Sequence, residues 1–360
     1  RPTYLYAVPS VFEKLYKGFL LTAQRSGRGG LFERAAQTAR EFATSLERRR
    51  VGRGTGPGLD LRMQHAVFER TVYRRLRAVL GGRVRRAASG GSPLHRDLSL
   101  FFEGIGIHVH DGYGLTETGG GITMQPLGRE KSGTVGRALP GTDIRVAADG
   151  EIMISGPSVF QGYTGDDAAT RAVLRDGWLA TGDLGHLDAD GYLTITGRKK
   201  DVIVTASGKS VSPALLEQRL RVHPLVHQAV VIGDDRPCVG ALITLDPEFL
   251  AHWRARLALQ GDVPSREARE ENALREEIGR AVAAANSAVS RAESIRVFRI
   301  LPRPFDQAGG LLTPSMKLRR DSIVKHWAAE IEAMYQARAP IPRHLTPDAL
   351  DWDDADDVFR

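Results

Sequence analysis

The sequence is poor in cysteine and in long apolar runs. Cys238 is its single cysteine, which excludes an intramolecular disulfide and a cysteine-based zinc site and suits a reducing compartment. No apolar run approaches the roughly 20 residues that cross a bilayer. With 42% hydrophobic and 26% charged residues the composition is that of a globular protein, and a length of 360 residues predicts two domains.

Acidic residues are fewer than basic ones: 43 Asp and Glu stand against 50 Lys and Arg, which gives a net charge of +7. This excess favours anionic partners such as nucleotides, CoA or an anionic lipid surface. The basic clusters show neither aromatic interleaving nor a groove-reading motif, so we expect no nucleic-acid partner. We expect a cytoplasmic protein, and the basic helix predicted from Leu31 to Arg50 leaves open a peripheral contact with an anionic membrane surface.

The order of the predicted elements indicates the fold class. A strand over Tyr4 to Val8 is followed by a helix from Pro9, and further strands are expected over Gly82 to Ala88 and Ile107 to Asp111. Turn-bounded strands dominate thereafter. We therefore predict an α/β region, with a parallel sheet, helices and a β-rich subdomain, followed by a small α+β domain and an acidic tail. The predicted bounds of these three parts are 1–197, 198–340 and 341–360.

A glycine turn follows the second of these strands and reads SGGSP from Ser89. Ser92 is a suitable N-cap, and Pro93 a suitable first residue, for a following helix. A strand, a glycine turn and a helix N-terminus together suit a ligand at the carboxyl end of a parallel strand. Gly91 and Ser92 are therefore candidate binding residues, although this pattern alone is a weak indication.

A more specific motif follows the next strand and reads YGLTET from Tyr113. Thr116 can donate to a phosphate oxygen, Glu117 can hold a Mg²⁺ that neutralises phosphate charge, and the Tyr113 ring can stack on adenine. By itself the motif is also compatible with a plain glycine-rich loop. It resembles the adenylate-binding signature of acyl-CoA synthetases. The resemblance implies that Thr116 and Glu117 act in catalysis and that Tyr113 and Gly114 bind the nucleotide.

Two further family motifs lie between Asp176 and Pro213. In TGD, glycine lets the backbone turn sharply, and the resemblance makes Asp183 the acceptor for both ribose hydroxyls. In GRKKD, Arg198 resembles the second ribose contact, and Lys200 resembles the hinge about which the small domain rotates. Gly208 resembles a residue of the loop that lines the CoA channel. Upstream of these motifs, the letters GEIMISGPSVFQGY resemble a family segment whose role is mainly structural.

Near the C-terminus, the letters LLTPSMKLRR begin at Leu311. Taken alone, such a segment indicates an ordinary loop lysine. In family terms it resembles the loop that presents the single catalytic lysine, and Lys317 is the match. Lys325 lies on the following predicted helix, on its solvated face.

These motifs occur in the order found in the adenylate-forming, or AMP-binding, superfamily, and their wording is most similar to its long-chain fatty acyl-CoA synthetases. The resemblance implies an ATP-dependent long-chain fatty acid–CoA ligase that needs Mg²⁺. The fatty-acid carboxylate first attacks the α-phosphate of ATP, giving an acyl-adenylate and pyrophosphate, and CoA then takes the acyl group as a thioester. Two alternatives stay open: a non-catalytic nucleotide- or CoA-binding fragment, and an enzyme that delivers its acyl-adenylate to a carrier protein.

The sequence departs from the family pattern in one respect. A phosphate loop rich in Ser, Thr and Gly and ending in Lys is expected upstream of all these motifs, but these residues contain none. The half that should supply the fatty-acid tunnel is also missing. We therefore expect the first part to be a large-domain remnant, and the chain to be either the C-terminal portion of a longer protein or an inactive gene product.

Overall fold

The computed structural model of the chain describes residues 1–258, 266–314 and 316–337. Contacts between residues divide the chain into two compact units, Arg1–Lys200 and Asp201–Arg360. The predicted boundary between residues 197 and 198 lies beside this division. The predicted acidic tail, 341–360, lies outside the described residues.

The first unit opens with three parallel strands and the helices that pack on them. Strands β1, β2 and β3 run parallel, and β4 and β5 extend the same sheet in antiparallel order. Phe12 and Phe102 are buried in the layer of helices and meet edge to face, with ring centroids 5.4 Å apart. The elements are β1 (Tyr4–Ala7), α1 (Pro9–Arg25), α2 (Gly29–Arg50), α3 (Leu59–Phe68), α4 (Arg74–Val79), β2 (Arg86–Ser89), α5 (Arg96–Gly104), β3 (His108–Leu115), β4 (Gly120–Met124) and β5 (Arg137–Ala138).

A π-helical turn, Glu69–Tyr73, joins α3 to α4. One local prediction for this region is wrong. Ser92 is not an N-cap, because α5 begins at Arg96 and His95 occupies the cap position. The Leu94 N–H donates to Asp111 Oδ2 over 3.1 Å, which holds the chain against β3 before the helix begins.

The β-rich part of the first unit is a second sheet with the strand order β10-β9-β7-β6, in which β8 also pairs with β9. In β7 the side chains alternate, so that Ile152 and Ile154 are buried and their neighbours are partly exposed. Leu179 and Leu193 pack in the same apolar cluster. The elements are β6 (Asp143–Val146), β7 (Glu151–Ser155), α6 (Asp167–Val173), β8 (Leu174–Arg175), β9 (Trp178–Leu187) and β10 (Leu193–Arg198).

The second unit is a small α+β domain around a three-stranded sheet. Strand β14 lies in the centre, antiparallel to β13 and parallel to β15. Val230, Leu242 and Trp327 belong to its apolar core. The elements are β11 (Ile203–Val204), β12 (Ser210–Val211), α7 (Pro213–Val222), β13 (Val226–Ile232), β14 (Val239–Leu245), α8 (Pro247–Ala258), α9 (Arg266–Asn286), β15 (Ile295–Ile300), α10 (Arg320–His326) and α11 (Ala328–Gln336).

The observed elements confirm the predicted fold class, an α/β region with a β-rich subdomain followed by a small α+β domain. None of the described helices is both long enough and apolar enough to cross a membrane.

Candidate functional site

The candidate site lies at one edge of the first sheet, where the parallel strands end. Ala7 pairs with Ser89, and Ser89 pairs with Asp111, so the ends of β1 and β2 lie beside the middle of β3, where the parallel pairing stops. The loop after β2 contains Gly91, whose φ of +87° is a conformation that glycine adopts at little cost. Ser92 follows it and is exposed. Both predicted residues of this loop thus lie at the edge where a ligand is expected.

The signature motif forms the hairpin between β3 and β4. Thr116 and Glu117 lie in a short 3-10 turn at its tip, and the turn is closed by Thr118, whose Oγ1 accepts from the Leu115 N–H over 3.0 Å. Gly114 has no room for a side chain, because a Cβ there would lie 1.9 Å from the Gly120 carbonyl oxygen. In this structure Gly114 therefore permits the close approach of the two strands.

Two predicted nucleotide-binding residues, Tyr113 and Arg198, meet at the carboxylate of a third, Asp183. The Tyr113 hydroxyl donates to Asp183 Oδ2 over 2.7 Å, and Arg198 Nε lies 2.9 Å from Asp183 Oδ1. Asp183 on β9 and Arg198 on β10 are direct cross-strand partners, which explains their contact. The Asp183 side chain is only 5% exposed, whereas the Arg198 side chain is 47% exposed. The ion pair therefore reaches from the protein interior to the surface.

Tyr113 acts in this arrangement as a hydrogen-bond donor. Burial, and then the negative charge of Asp183, raise the pKa of its hydroxyl far above the usual value. The phenol therefore keeps its proton at neutral pH. The predicted stacking of its ring on adenine stays a prediction.

Glu117 is held by a residue that the sequence analysis did not single out. The Tyr163 hydroxyl donates to Glu117 Oε1 over 2.8 Å. Both residues line a cavity of about 530 Å³ in the first unit, and Lys199 lines it as well. Thr116 is exposed beside them.

The residues at this turn fit a Mg²⁺ of the kind that binds with a nucleotide. Such an ion usually takes one or two carboxylates together with substrate phosphates and water, and it seldom sits in an all-protein cage. Within the described residues no group of three or more His, Cys, Asp or Glu side chains could hold a metal ion. Glu117 supplies the single carboxylate that this mode of binding requires.

Lys199, next to the predicted hinge residue Lys200, contacts two carboxylates. Its Nζ lies 2.6 Å from Asp149 Oδ2 and 2.9 Å from Glu151 Oε2, and these two carboxylates raise the pKa of the amine. Glu151 also accepts from the Gly182 N–H over 2.9 Å, directly before Asp183. Glu151 on β7 therefore links Lys199, near the end of the first unit, to the backbone of the TGD motif. Lys200 is exposed.

The remaining two candidates belong to the second unit and lie on tight loops. Gly208 has a φ of +77° in the turn between β11 and β12, where its N–H donates to the Thr205 carbonyl over 2.8 Å. The loop of Lys317 is closed by Thr313, which donates its N–H to the Lys317 carbonyl over 2.8 Å and accepts from the Lys317 N–H at Oγ1 over 3.0 Å. The Lys317 side chain is exposed.

Gln307 braces the same loop. Its amide donates to the carbonyls of Thr313 (3.2 Å) and Pro314 (3.1 Å). Gln307 and Thr313 thus support the described backbone on either side of Lys317, and a predicted catalytic lysine requires such support. Neither Gln307 nor Tyr163 belongs to a short motif with a chemical signal of its own, which is why the sequence did not point to them.

Comparison with known proteins identifies the family. Residues 1–164 match the AMP-binding enzyme family, and residues 200–339 match the AMP-binding enzyme C-terminal domain. Long-chain-fatty-acid–CoA ligase FadD15 of Mycobacterium tuberculosis is 48% identical over 335 residues, which are 93% of this chain and 55% of that protein. Human long-chain-fatty-acid–CoA ligase ACSBG1 is 30% identical, with 93% of this chain and 49% of that protein covered. The chain spans about half the length of these curated relatives.

Two solved structures have a similar fold. The adenylation domain of a carboxylate reductase from Mycobacterium chelonae has a TM-score of 0.67 at 23% identity, covering 93% of this chain and 47% of that one, and shows the same fold. The o-succinylbenzoate CoA synthetase MenE from Bacillus subtilis, solved with the acyl-adenylate intermediate OSB-AMP, has a TM-score of 0.52 at 26% identity and covers 69% of this chain and 49% of that one. With both of its family matches in place, the chain belongs to the AMP-binding enzymes.

Proposed function

We propose that the chain binds ATP, adenylates a long-chain fatty acid and transfers the acyl group to CoA. The observation that carries this proposal is the convergence of Tyr113 and Arg198 on the buried carboxylate of Asp183. The relatives named as long-chain-fatty-acid–CoA ligases support the choice of fatty acid and CoA as substrates. In this proposal residues 1–197 bind the nucleotide, and residues 198–340 are a small mobile domain that turns about Lys200.

The ribose end of the nucleotide is bound at Asp183. Each carboxylate oxygen can accept more than one hydrogen bond, so the contacts with Tyr113 and Arg198 leave lone pairs for the two ribose hydroxyls. Arg198 also balances the buried negative charge. Gly91, Ser92 and Gly114 form the adjoining loop edges against which the nucleotide lies.

The phosphate end is bound at the turn of the signature motif. Thr116 donates to a phosphate oxygen, and Glu117 holds the Mg²⁺. When bound, this ion withdraws charge from the phosphate oxygens. Lys317 orients the fatty-acid carboxylate toward the α-phosphate and stabilises the negative charge that develops there. Gly208 lies on the loop that lines the path of CoA in the second step.

The net charge of +7 suits three anionic substrates, the fatty acid, ATP and CoA. The comparison with MenE, whose structure contains an acyl-adenylate, supports the same intermediate here. A cytoplasmic location, with contact to an anionic membrane surface, is part of the proposal and rests on the sequence alone.

Palmitate-dependent ATP–pyrophosphate exchange with Mg²⁺ tests the proposal on the 360-residue chain. We expect exchange by the unmodified chain and by Lys325→Ala, which removes an exposed lysine of α10. Lys317→Ala should reduce the exchange by about 10²-fold or more, as the loss of one charge-stabilising contact does in other enzymes.

Three results would contradict parts of this function. Equal exchange by Lys317→Ala and the unmodified chain would remove Lys317 from the first step. A folded chain that binds AMP without exchange would instead support the non-catalytic nucleotide-binding alternative. A folded chain that binds neither ATP nor AMP would overturn the nucleotide site itself.

A further inference from the structure

A loop between β7 and α6 holds the turn that carries Glu117. The Phe160 N–H donates to the Glu117 carbonyl over 2.8 Å, and the Tyr163 hydroxyl donates to Glu117 Oε1 over 2.8 Å. The two aromatic rings meet edge to face with their centroids 4.9 Å apart. Both the backbone and the side chain of Glu117 are therefore fixed by the same short segment.

This loop keeps its conformation through contacts that do not involve the Tyr163 hydroxyl. The Tyr163 N–H donates to Thr170 Oγ1 over 2.9 Å, and that hydroxyl in turn donates to the Asp166 carbonyl over 2.8 Å. Gly162 has a φ of +148°, and a Cβ there would lie 2.7 Å from Thr170 Cγ2. Since the backbone is anchored to α6 in this way, the hydroxyl is free to act on Glu117.

The bond between Tyr163 and Glu117 prepares a flexible carboxylate for binding. A glutamate side chain has several rotatable bonds, and a ligand that must order such a side chain binds less tightly. The Tyr163 hydroxyl donates its hydrogen bond to Glu117 Oε1, which leaves Glu117 Oε2 to bind a cation. Because Glu117 and Tyr163 line the same cavity, that cation would lie where phosphates can also reach it.

We propose that Tyr163 is a positioning residue for a divalent cation: its hydroxyl holds the Glu117 carboxylate in the orientation that binds Mg²⁺ together with the phosphates of ATP. This inference rests on the proposed function, since it assumes that ATP binds at this turn. It also gives a chemical role to the segment GEIMISGPSVFQGY, for which the family resemblance implies a mainly structural role.

The gain in ATP affinity that Mg²⁺ provides tests the inference without any turnover. Isothermal titration calorimetry on the full chain gives the ATP dissociation constant first in EDTA and then in saturating Mg²⁺. We expect Mg²⁺ to tighten ATP binding by the unmodified chain, and Glu117→Gln to lose most of this gain. In Tyr163→Phe the factor by which Mg²⁺ tightens ATP binding should be about threefold to tenfold smaller, which is the cost of ordering one side chain. The ATP affinity of this variant in EDTA should be unchanged.

Tyr4→Phe is the matched control, because Tyr4 is a half-exposed tyrosine on β1 and outside the site. It should behave as the unmodified chain does. The circular dichroism spectrum and melting temperature of Tyr163→Phe should match those of the unmodified chain, since the backbone contacts of the loop stay in place.

The possible results separate the inference from the proposed function. A full Mg²⁺ gain in Tyr163→Phe overturns the inference, and so does an equal loss of ATP affinity in EDTA and in Mg²⁺, which marks a structural role. A gain that survives in Glu117→Gln shows that the cation is held elsewhere and also overturns the inference. No ATP binding by the unmodified chain under either condition overturns the proposed function, and the inference with it.

Discussion

The Tyr113 hydroxyl donates a 2.7 Å hydrogen bond to Asp183, although the two residues are 70 positions apart in the sequence. Arg198 contacts the other carboxylate oxygen from the neighbouring strand. Because both oxygens are held by donors, the carboxylate has one fixed orientation before any ligand arrives. An acceptor that is already oriented binds a ribose without the cost of ordering it.

Substitution of Asp183 should therefore weaken AMP binding more than substitution of Tyr113. Asp183→Asn replaces a charged acceptor by a neutral amide, and hydrogen bonds to charged groups contribute about 1.5–3 kcal/mol. We expect about a 10- to 100-fold rise in the AMP dissociation constant for Asp183→Asn, and about a threefold to tenfold rise for Tyr113→Phe, which removes one of the two supports.

Isothermal titration calorimetry with AMP measures both effects. Asp190→Asn is a matched control, because Asp190 is exposed in the turn that joins the same two strands. Its AMP affinity should equal that of the unmodified chain. Unchanged AMP binding by Asp183→Asn would show that this carboxylate does not hold the ribose.

The parts of this site that could be predicted depend on local signals. An Asp-Gly pair such as the one before Tyr192 is typical of a hairpin turn, and the hairpin of β9 and β10 places Asp183 opposite Arg198. The prediction of a helix after Pro9 was confirmed for the same reason, since proline favours the first helical turn.

The contacts that could not be predicted join segments that are distant in the sequence. Lys199 reaches Asp149 and Glu151, which are 50 and 48 positions away, and only the packing of β7 against β9 brings them near. Ser92 had the local properties of an N-cap, but the bond from Leu94 to the Asp111 side chain outweighs them. Local propensity is overruled here by a contact with a buried strand.

Gly114 and Gly121 pair directly across the hairpin of β3 and β4, yet they should respond differently to alanine. At Gly114 a Cβ would overlap the Gly120 carbonyl, whereas a Cβ at Gly121 would lie 4.0 Å from the Tyr113 carbonyl oxygen, an ordinary van der Waals distance. Gly114→Ala should lower the free energy of unfolding by about 1–3 kcal/mol and weaken ATP binding, because the strands must separate beneath Thr116. Gly121→Ala should stay within about 1 kcal/mol of the unmodified chain.

Urea denaturation followed by tryptophan fluorescence would measure the difference in unfolding free energy between the two variants. ATP titrations of the purified proteins would measure the difference in affinity. If both alanine variants were equally stable and bound ATP equally well, the close approach at Gly114 would not matter for the site.

Asp111 is a buried carboxyl group on β3, at the last position that pairs with β2. Its Oδ2 accepts from the Leu94 N–H over 3.1 Å, while Oδ1 has no hydrogen-bond partner among the described residues. Burial raises the pKa of Asp111 from its ordinary value of 3.8 to about 7, although the hydrogen bond from the Leu94 N–H opposes this rise. Folding therefore favours the protonated acid, and this contribution to stability is complete below about pH 4 and is lost as the pH rises through about 7.

Asp111→Asn should remove this dependence on pH, because asparagine has the shape of the protonated acid and cannot ionise. The two proteins should have similar stability near pH 4. Between about pH 4 and pH 7 the unfolding free energy of the variant should rise relative to that of the unmodified chain by up to about 4 kcal/mol, which corresponds to a rise of about three units in the pKa. Above pH 7 the difference should become constant. Urea denaturation of both proteins at several pH values measures the difference in unfolding free energy. A difference that is constant from pH 4 to pH 8, or that favours the unmodified chain as the pH rises, would show that Asp111 is ionised in the folded protein over this range.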